Sequence, residues 1–437
     1  MNPLQNLIAM GLTWTTLIEF IILLFFFLLF RAWFAFLILF GFIGFILFKI
    51  YQYFQFKKLS ERTTIFNQEI PKVMKAAYYS SNWKKIIDFG EYIVPFKLKD
   101  DELLIKVHSA SLNPVDFKFV ITRFPFYRWI HFPNFGIGND FAGEVVRIGG
   151  AVTKYRNGDF VFGFACTGSF QEYTVTKENW IHNIPEKVEC QFAAALPMAG
   201  VESYQALTYF LKFAPDNIYK EYGEEPDLSG KNILVVGATG GCGHIAVQLS
   251  KFLQANEVYG ICSKEKVDII KDLNVCTDVI AYDAIDIDSA LDSALLTEDG
   301  QPKLDLILDT VTSPESGDVG YQYKKYLKPD GKYVSLNSNS YLTFFKGLLV
   351  SWIPKLNLEK KGTHCHMLNR DDTTKALEVL SNMIAQDKFK FITQNFNFEY
   401  QAIDDAIKML RSRKTTGKLV CDKINDNNDI NDINNEI

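Results

Sequence analysis

The residues of this chain best suited to chemistry are glycines. Gly237-Ala-Thr-Gly-Gly-Cys-Gly243 follows the short apolar run 233–236 and precedes a segment in which Ile245, Leu249, Phe252 and Leu253 recur at helical spacing. A continuous, β-branched apolar run marks a buried parallel strand. Strand, glycine turn and helix therefore arrive in the order of a βαβ unit that binds a dinucleotide. Glycine lets the backbone approach a diphosphate closely, and the helix start offers unpaired N–H groups and a positive dipole end. The GxGxxG spacing is incomplete, because Ala238 stands where the first glycine belongs while Gly240 and Gly243 hold the second and third places. Ala238, Thr239, Gly240, Gly241, Cys242 and Gly243 are the expected cofactor cradle, with a purely structural turn as the plainer reading.

The next strand, Glu257-Val-Tyr-Gly-Ile-Cys262, bears on the choice of dinucleotide. Folds that prefer NAD place an acidic residue at its end, about 20 residues past the turn, to bond the ribose 2′-hydroxyl. Here Cys262 holds that place, followed by Ser263, Lys264 and Lys266. A hydroxyl and two ammonium groups suit a 2′-phosphate, so NADPH is the cofactor expected. The bland role for those lysines is to solvate a loop. Strands are also expected at 278–282, 304–309 and 331–336, spaced as a parallel sheet with crossovers requires. Ligands lie beyond the carboxyl ends of such strands. That puts Asp309, Thr310 and Leu336 to Ser338 on the crevice, Asp309 serving equally well as a helix cap.

Positions 73–198 read as strands and turns, with Glu102–Ser111, Asn139–Ile148, Asn157–Gly163 and Gly168–Val175 as a barrel-like module cornered by glycine. Residues 192–207 then turn helical on both sides of Pro197. Ser111-Leu-Asn-Pro-Val-Asp116, Gly138-Asn-Asp-Phe-Ala-Gly143, Asn157-Gly-Asp-Phe-Val-Phe162, the Ala-Ala-Leu-Pro helix, the glycine loop and Thr416-Gly-Lys-Leu-Val420 follow in that order. In these landmarks the chain resembles the medium-chain dehydrogenase/reductase superfamily, on its zinc-free, zeta-crystallin-like quinone oxidoreductase branch. The nearest flavour is that of reticulon-interacting oxidoreductases and fungal membrane-associated members.

The resemblance implies an α/β fold: a GroES-like β-rich catalytic domain plus a Rossmann doubly wound parallel sheet, with C-terminal strands returning to the first domain. The expected division is 67–200 catalytic, 201–355 NADPH-binding, 356–423 return and 424–437 a polar, disordered tail. It makes Asn113 the candidate to orient substrate or nicotinamide, against a plain role in bonding the Asn-Pro turn. Asp116 and Lys118 are expected as a structural ion pair. Tyr127 falls near a loop where some relatives carry a functional tyrosine, without matching their pattern. Phe124, Phe126, Trp129, Phe132 and Phe135 would suit a flat lipophilic substrate or packing, and Gln205 and Thr208 either face nicotinamide or lie on a helix surface. Zinc enzymes of the superfamily need cysteine and histidine ligands. Asn113-Pro-Val-Asp116 and Gly138-Asn-Asp140 stand in those places, so no metal is expected, and His364-Cys-His366 lies outside them.

Residues 17–48 are almost wholly apolar, broken by Glu19 and Arg31. One straight helix over them would reach roughly 48 Å, more than a bilayer core requires. Lys49, Lys57, Lys58 and Arg62 follow, whereas positions 1–16 hold no basic side chain. The expectation is an N-terminal hydrophobic membrane anchor within 1–66, as one span or a hairpin, with the body facing the cytosol at the ER, a lipid droplet or the mitochondrial outer membrane. Seven cysteines without a C-x-x-C pair fit a reducing compartment. The net charge of −5 gives no reason to expect nucleic acid. The implied partners are a small lipophilic substrate, the membrane and, since dimers are usual in the family, a second copy.

The reaction this implies is hydride transfer from NADPH to a quinone or α,β-unsaturated carbonyl held within about 3–3.5 Å, with a donor for the developing oxyanion. A membrane scaffold that binds NADPH without turnover is the rival reading, and reduction of an enoyl thioester is the third.

Overall fold

The computed structural model describes residues 70–80, 84–121, 136–212, 226–313, 316–337, 363–365 and 373–425. The chain divides into two units, Met1–Ile70 and Pro71–Ile437, and the architecture below is that of the second. Its first half holds β1 (Val73–Tyr79), β2 (Ile87–Ile93), β3 (Glu102–Leu112), α1 (Val115–Ile121), β4 (Asp140–Ile148), β5 (Phe160–Phe164), β6 (Tyr173–Lys177), β7 (Ile181–Asn183) and α2 (Cys190–Ala193). A long helix, α3 (Pro197–Lys212), leads into β8 (Asn232–Val236), α4 (Gly243–Phe252), β9 (Glu257–Cys262), α5 (Val267–Lys271), β10 (Asp278–Ala281), α6 (Ile287–Leu295), β11 (Leu304–Asp309), β12 (Leu327–Ser335) and β13 (Thr363–Cys365). The chain then runs through α7 (Thr374–Ala385), β14 (Thr393–Phe396), α8 (Tyr400–Arg411) and β15 (Lys418–Cys421).

Strands β8 to β13 build a six-stranded parallel sheet in the order β10-β9-β8-β11-β12-β13. Ile233, Leu234, Val235 and Val236 are all buried, as a strand covered on both faces must be. Strand order reverses between β8 and β11, and that switch point is where a doubly wound sheet opens its crevice. Full burial of each Val, Leu or Ile is worth roughly 1.5–3 kcal/mol, so this apolar run fixes the frame on which the glycine loop hangs.

The other sheet has seven strands, ordered β14-β15-β3-β4-β5-β7 with β6 also paired to β3. Its spine is β3, which pairs antiparallel with β4, β6 and β15. The C-terminal β15 therefore comes back to the first domain, as the resemblance implies. Pro197 opens α3, where its fixed φ and missing N–H cost nothing.

Two stretches run across the expected boundaries. The dinucleotide sheet continues past 355, because Thr363–Cys365 pairs with Tyr333–Ser335. That places His364 and Cys365 in an edge strand, with His366 outside the described residues. The tail begins with two docked residues: Ile424 N donates to the His108 carbonyl at 3.0 Å and Asn425 Nδ2 to that of Val107 at 2.7 Å.

The membrane-anchored, cytosol-facing location is corrected: among the described residues no helix is long and apolar enough to cross a membrane. The run 17–48 on which that expectation rested lies outside the described residues, as do Phe124, Phe126, Tyr127, Trp129, Phe132 and Phe135.

Candidate active site

The glycine loop sits at the carboxyl end of β8, between β9 and β11. Helix α4 starts at Gly243 with Cys242 at its cap position, and no side chain caps it. The N–H of Gly243 opens the helix without a side-chain acceptor, while that of His244 donates to the Gly240 carbonyl at 3.1 Å. A Cβ on Gly243 would collide with the Gly237 carbonyl oxygen, so only glycine allows the helix to start this close to the strand. Thr239, Gly240, Gly241, Cys242 and Gly243 lie together on the loop expected to cradle the cofactor. Ala238 does not join them: its side chain is buried against the position of Gly260, and its N–H donates to the Ile261 carbonyl at 2.9 Å.

Ser263, Lys264 and Lys266 do follow the end of β9. The Lys264 N–H donates to Asp283 Oδ1 at 2.7 Å, while the exposed Lys266 ammonium reaches the Lys414 carbonyl at 2.9 Å. Leu336 lies just past β12, its N–H on the Asp309 carbonyl at 2.9 Å. Asp309 is fully buried and its carboxylate is spent inside the fold. Oδ1 accepts from the N–H groups of Val311 at 2.8 Å and Thr312 at 3.0 Å, and Oδ2 from the Tyr333 hydroxyl. It anchors the turn after β11 instead of facing a ligand. Thr310 Oγ1 donates to the Val236 carbonyl at 2.8 Å and so closes the wall of the crevice.

Beside the loop lies a buried polar network that the sequence reading only partly saw. Asp140 Oδ2 accepts from Asn113 Nδ2 at 2.8 Å, Ser111 Oγ at 3.0 Å and Lys418 Nζ at 3.5 Å, and Oδ1 accepts from the Met198 N–H at 3.0 Å. The Lys418 ammonium, in a side chain 3% exposed, also donates to Asn113 Oδ1 at 2.6 Å and the Leu112 carbonyl at 3.1 Å. Asn113 thus has both ends of its amide occupied. That supports a positioning role, with one of the two amide N–H groups spent on Asp140. The Asp116 carboxylate takes the Asn113 N–H at 2.7 Å and the Asn139 amide, with the Lys418 cation in its field. Burial pushes the Asp116 carboxyl up to about 7 and raises that of Asp140, against which the Lys418 ammonium and the surrounding donors act.

This network touches the cradle. The Gly417 N–H donates to the Thr239 carbonyl at 2.8 Å, and a Cβ on Gly241 would stand 3.1 Å from Lys418 Cδ. Gly417 has φ +65, a left-handed turn that swings Lys418 inward at the start of β15. From α3, Ser203 Oγ donates to the Cys242 carbonyl at 3.2 Å, and the Cys242 thiol lies 3.8 Å from Glu202 Oε2. Gln205 and Thr208 are buried, not on a helix surface. His244 is buried with Nδ1 2.9 Å from the Gly240 carbonyl, and burial depresses it to about 4, so the ring is neutral near pH 7.

Lys418, Asp140 and Glu202 were not singled out as site residues. The signal for Lys418 was present: a lone lysine between Gly417 and the apolar run Leu419–Cys421 has no solvent-facing reason to sit in a strand that the pattern buries. Glu202 gave no such signal, since one acid in a helix is ordinarily a solvated surface residue.

Cradle, crevice and returning C-terminal strand define an oxidoreductase built for a nicotinamide dinucleotide, and the chain belongs to the medium-chain dehydrogenase/reductase superfamily. Residues 99–186 match the Alcohol dehydrogenase GroES-like domain and residues 277–421 the Zinc-binding dehydrogenase domain. A chloroplastic quinone-oxidoreductase homolog of Spinacia oleracea is 31% identical over 358 residues, covering 80% of this chain and 98% of the relative. An NADPH-dependent alkenal/one oxidoreductase of Arabidopsis thaliana, also chloroplastic, is 28% identical, covering 80% of each. Among solved structures, the quinone oxidoreductase from Coxiella burnetii superposes with a TM-score of 0.61 at 26% identity, covering 80% of this chain and 99% of that one.

Proposed function

We propose that this protein transfers a hydride from NADPH to a quinone or an α,β-unsaturated carbonyl, without zinc. The observation that carries the reading is the uncapped start of α4 behind the glycine cradle, set at the β8/β11 switch point. The names of the spinach and Arabidopsis relatives support the acceptor class and the cofactor. The cofactor, when bound, supplies the hydride. The chain holds its diphosphate with the N–H groups of Thr239, Gly241, Cys242 and Gly243, the Gly240 N–H being spent on the Gly237 carbonyl at 2.9 Å. Ser263, Lys264 and Lys266 stand at the end of β9, where a 2′-phosphate would meet a hydroxyl and two cations. Thr310 and Leu336 line the crevice. Asn113, Asp140 and Lys418 lock the catalytic domain against the loop, so that substrate and cofactor share one rigid frame.

The donor chemistry near Asn113 does not fit zinc, which takes thiolate, imidazole and carboxylate. An amide, two carboxyls and a serine hydroxyl surround a lysine ammonium there, and that ammonium already supplies the positive charge. No step is therefore assigned to a metal.

The test is oxidation of NADPH by the full chain with menadione, methyl vinyl ketone or crotonaldehyde as acceptor. Turnover with at least one of them, insensitive to a zinc chelator, is the expected result. Tight NADPH binding without turnover would favour a scaffold, and loss of activity on chelation would overturn the zinc-free reading.

A further inference from the structure

Reduction of a carbonyl-conjugated double bond consumes a proton as well as a hydride, and the residues around the cradle differ in whether they can give one. Asp116 and Asp140 are fully buried, with their oxygens filled by donors. His244 is neutral and buried, with its Nδ1 on the Gly240 carbonyl. The Cys242 thiol is pushed far up by burial and by Glu202 beside it. Glu202 is different. It is partly buried, less sealed than Asp116 and Asp140, and its carboxyl lies 3.8 Å from the side chain of the residue that caps α4. Ser203 ties that turn of α3 to the same cap residue.

We propose that Glu202 is the acid of this site: it takes up a proton as the cofactor's diphosphate docks at the α4 start, and it passes that proton to the reduced substrate. The proposal rests on the NADPH-dependent reductase reading given above. A diphosphate at the N–H groups of Cys242 and Gly243 is a negative charge close to Glu202, and like charges favour the neutral carboxylic acid. The groups that bear on Glu202 are the Cys242 thiol, Lys118 from α1, Lys418 from β15 and Asp140 from β4. The two cations favour the carboxylate and Asp140 opposes it. Burial outweighs them and already brings the Glu202 carboxyl up to about 7 without any ligand, and a diphosphate close by raises it further, beyond the pH range tested below. In the reaction the bound cofactor gives a hydride to the β-carbon of the enone, and the double-bond pair moves to form the enolate. The Glu202 O–H bond then breaks as the α-carbon gains its C–H bond. Saturated carbonyl, oxidised cofactor and the Glu202 carboxylate result, and solvent returns a proton to the carboxylate.

The test uses the full chain and NADPH binding measured between pH 7.5 and pH 9, above the titration of the 2′-phosphate. Wild-type affinity should weaken by about tenfold per pH unit while one proton is taken up. Calorimetry in two buffers of different ionisation enthalpy should count that proton directly, with no variant needed. Glu202→Gln keeps the shape but has no proton to give. Its NADPH affinity should be flat with pH, and its kcat with methyl vinyl ketone should fall about 10²–10⁴-fold with little change in the KM for NADPH. Zero proton uptake by wild type, the same pH slope in Glu202→Gln, or a kcat for that variant within twofold of wild type would each overturn the proposal. Failure of wild type to bind NADPH at every pH would instead strike down the reading beneath it, and the two failures are told apart by that binding measurement.

Discussion

The Lys418 ammonium donates to the Asn113 amide oxygen at 2.6 Å, joining two residues 305 positions apart in the chain. One lies at the start of the last strand, the other just past the strand it pairs with. Because Asn113 passes the contact on to Asp140, one cation holds the last strand to the catalytic sheet, and the neighbouring Gly417 N–H ties that strand to the glycine loop. Lys418→Met removes that charge and leaves buried acceptors on Asn113, Leu112 and Asp140. Breaking a buried pair from one side costs about 3–5 kcal/mol, so the urea midpoint should drop accordingly. Lys418→Met combined with Asp140→Asn should recover part of the loss. A single variant with unchanged stability would show that the network is ornamental.

Three groups shifted by burial set opposing pH dependences. The Asp116 carboxyl is raised from 3.8 to about 7, so its contribution to stability is fully present below pH 3.8 and is lost as pH rises through 7. Glu202, raised from 4.5 to about 7, acts in the same sense. His244 is depressed from 6.5 to about 4, so its contribution is present above pH 6.5 and is lost as pH falls through 4. Asp116→Asn removes the first effect. Whatever constant penalty the variant carries, its stability relative to wild type should climb between pH 4 and pH 7.5. At roughly 1.4 kcal/mol per pKa unit, the climb is on the order of 4 kcal/mol at most. Chemical denaturation across that range measures it, and a flat or falling difference would contradict the assigned shift.

What could be read in advance follows from the physics of each part. The strand–loop–helix at 233–252 was legible because a doubly buried strand and a glycine turn need particular residue types in a particular order. Asn113 was found as a candidate, but its partner was not, since Lys418 meets it only after the chain has returned across both domains. Asp309 was placed correctly at a strand end. Its acceptors, though, are taken by the N–H groups of Val311 and Thr312 and by the Tyr333 hydroxyl, which no local pattern reveals. Glu202 was invisible because its importance comes from burial against Cys242, and the helix α3 shows neither in its sequence.

Gly243→Ala tests the cradle. The added methyl meets the Gly237 carbonyl oxygen and the Ala238 backbone, so the start of α4 must shift away from β8. NADPH affinity should fall by at least about tenfold, because the N–H groups that hold the diphosphate move with the helix. Tryptophan-to-NADPH energy transfer reads the binding, and far-ultraviolet circular dichroism confirms that the variant is folded. A folded variant with wild-type affinity would mean that the diphosphate docks elsewhere.

The choice of NADPH over NADH should reside in the short turn after β9. Lys264 and Lys266 flank Glu265 there, and Lys266 is the more telling of the two. Its ammonium spends itself on a single backbone carbonyl, that of Lys414, at an exposed position, so it can turn to a phosphate at small cost. The Lys264 N–H is fixed by Asp283, which holds the turn in place while leaving its ammonium to act. A hydrogen bond to a charged group is worth roughly 1.5–3 kcal/mol, or about 10- to 100-fold in affinity. Lys264→Ala with Lys266→Ala should therefore weaken NADPH by at least about tenfold and leave NADH within twofold. The loss should shrink as salt is raised, since both ammonium groups are solvent-reached and their attraction is screened within about 8–10 Å at ordinary ionic strength. Equal weakening of both nucleotides would show that the lysines shape the turn and do not read the phosphate.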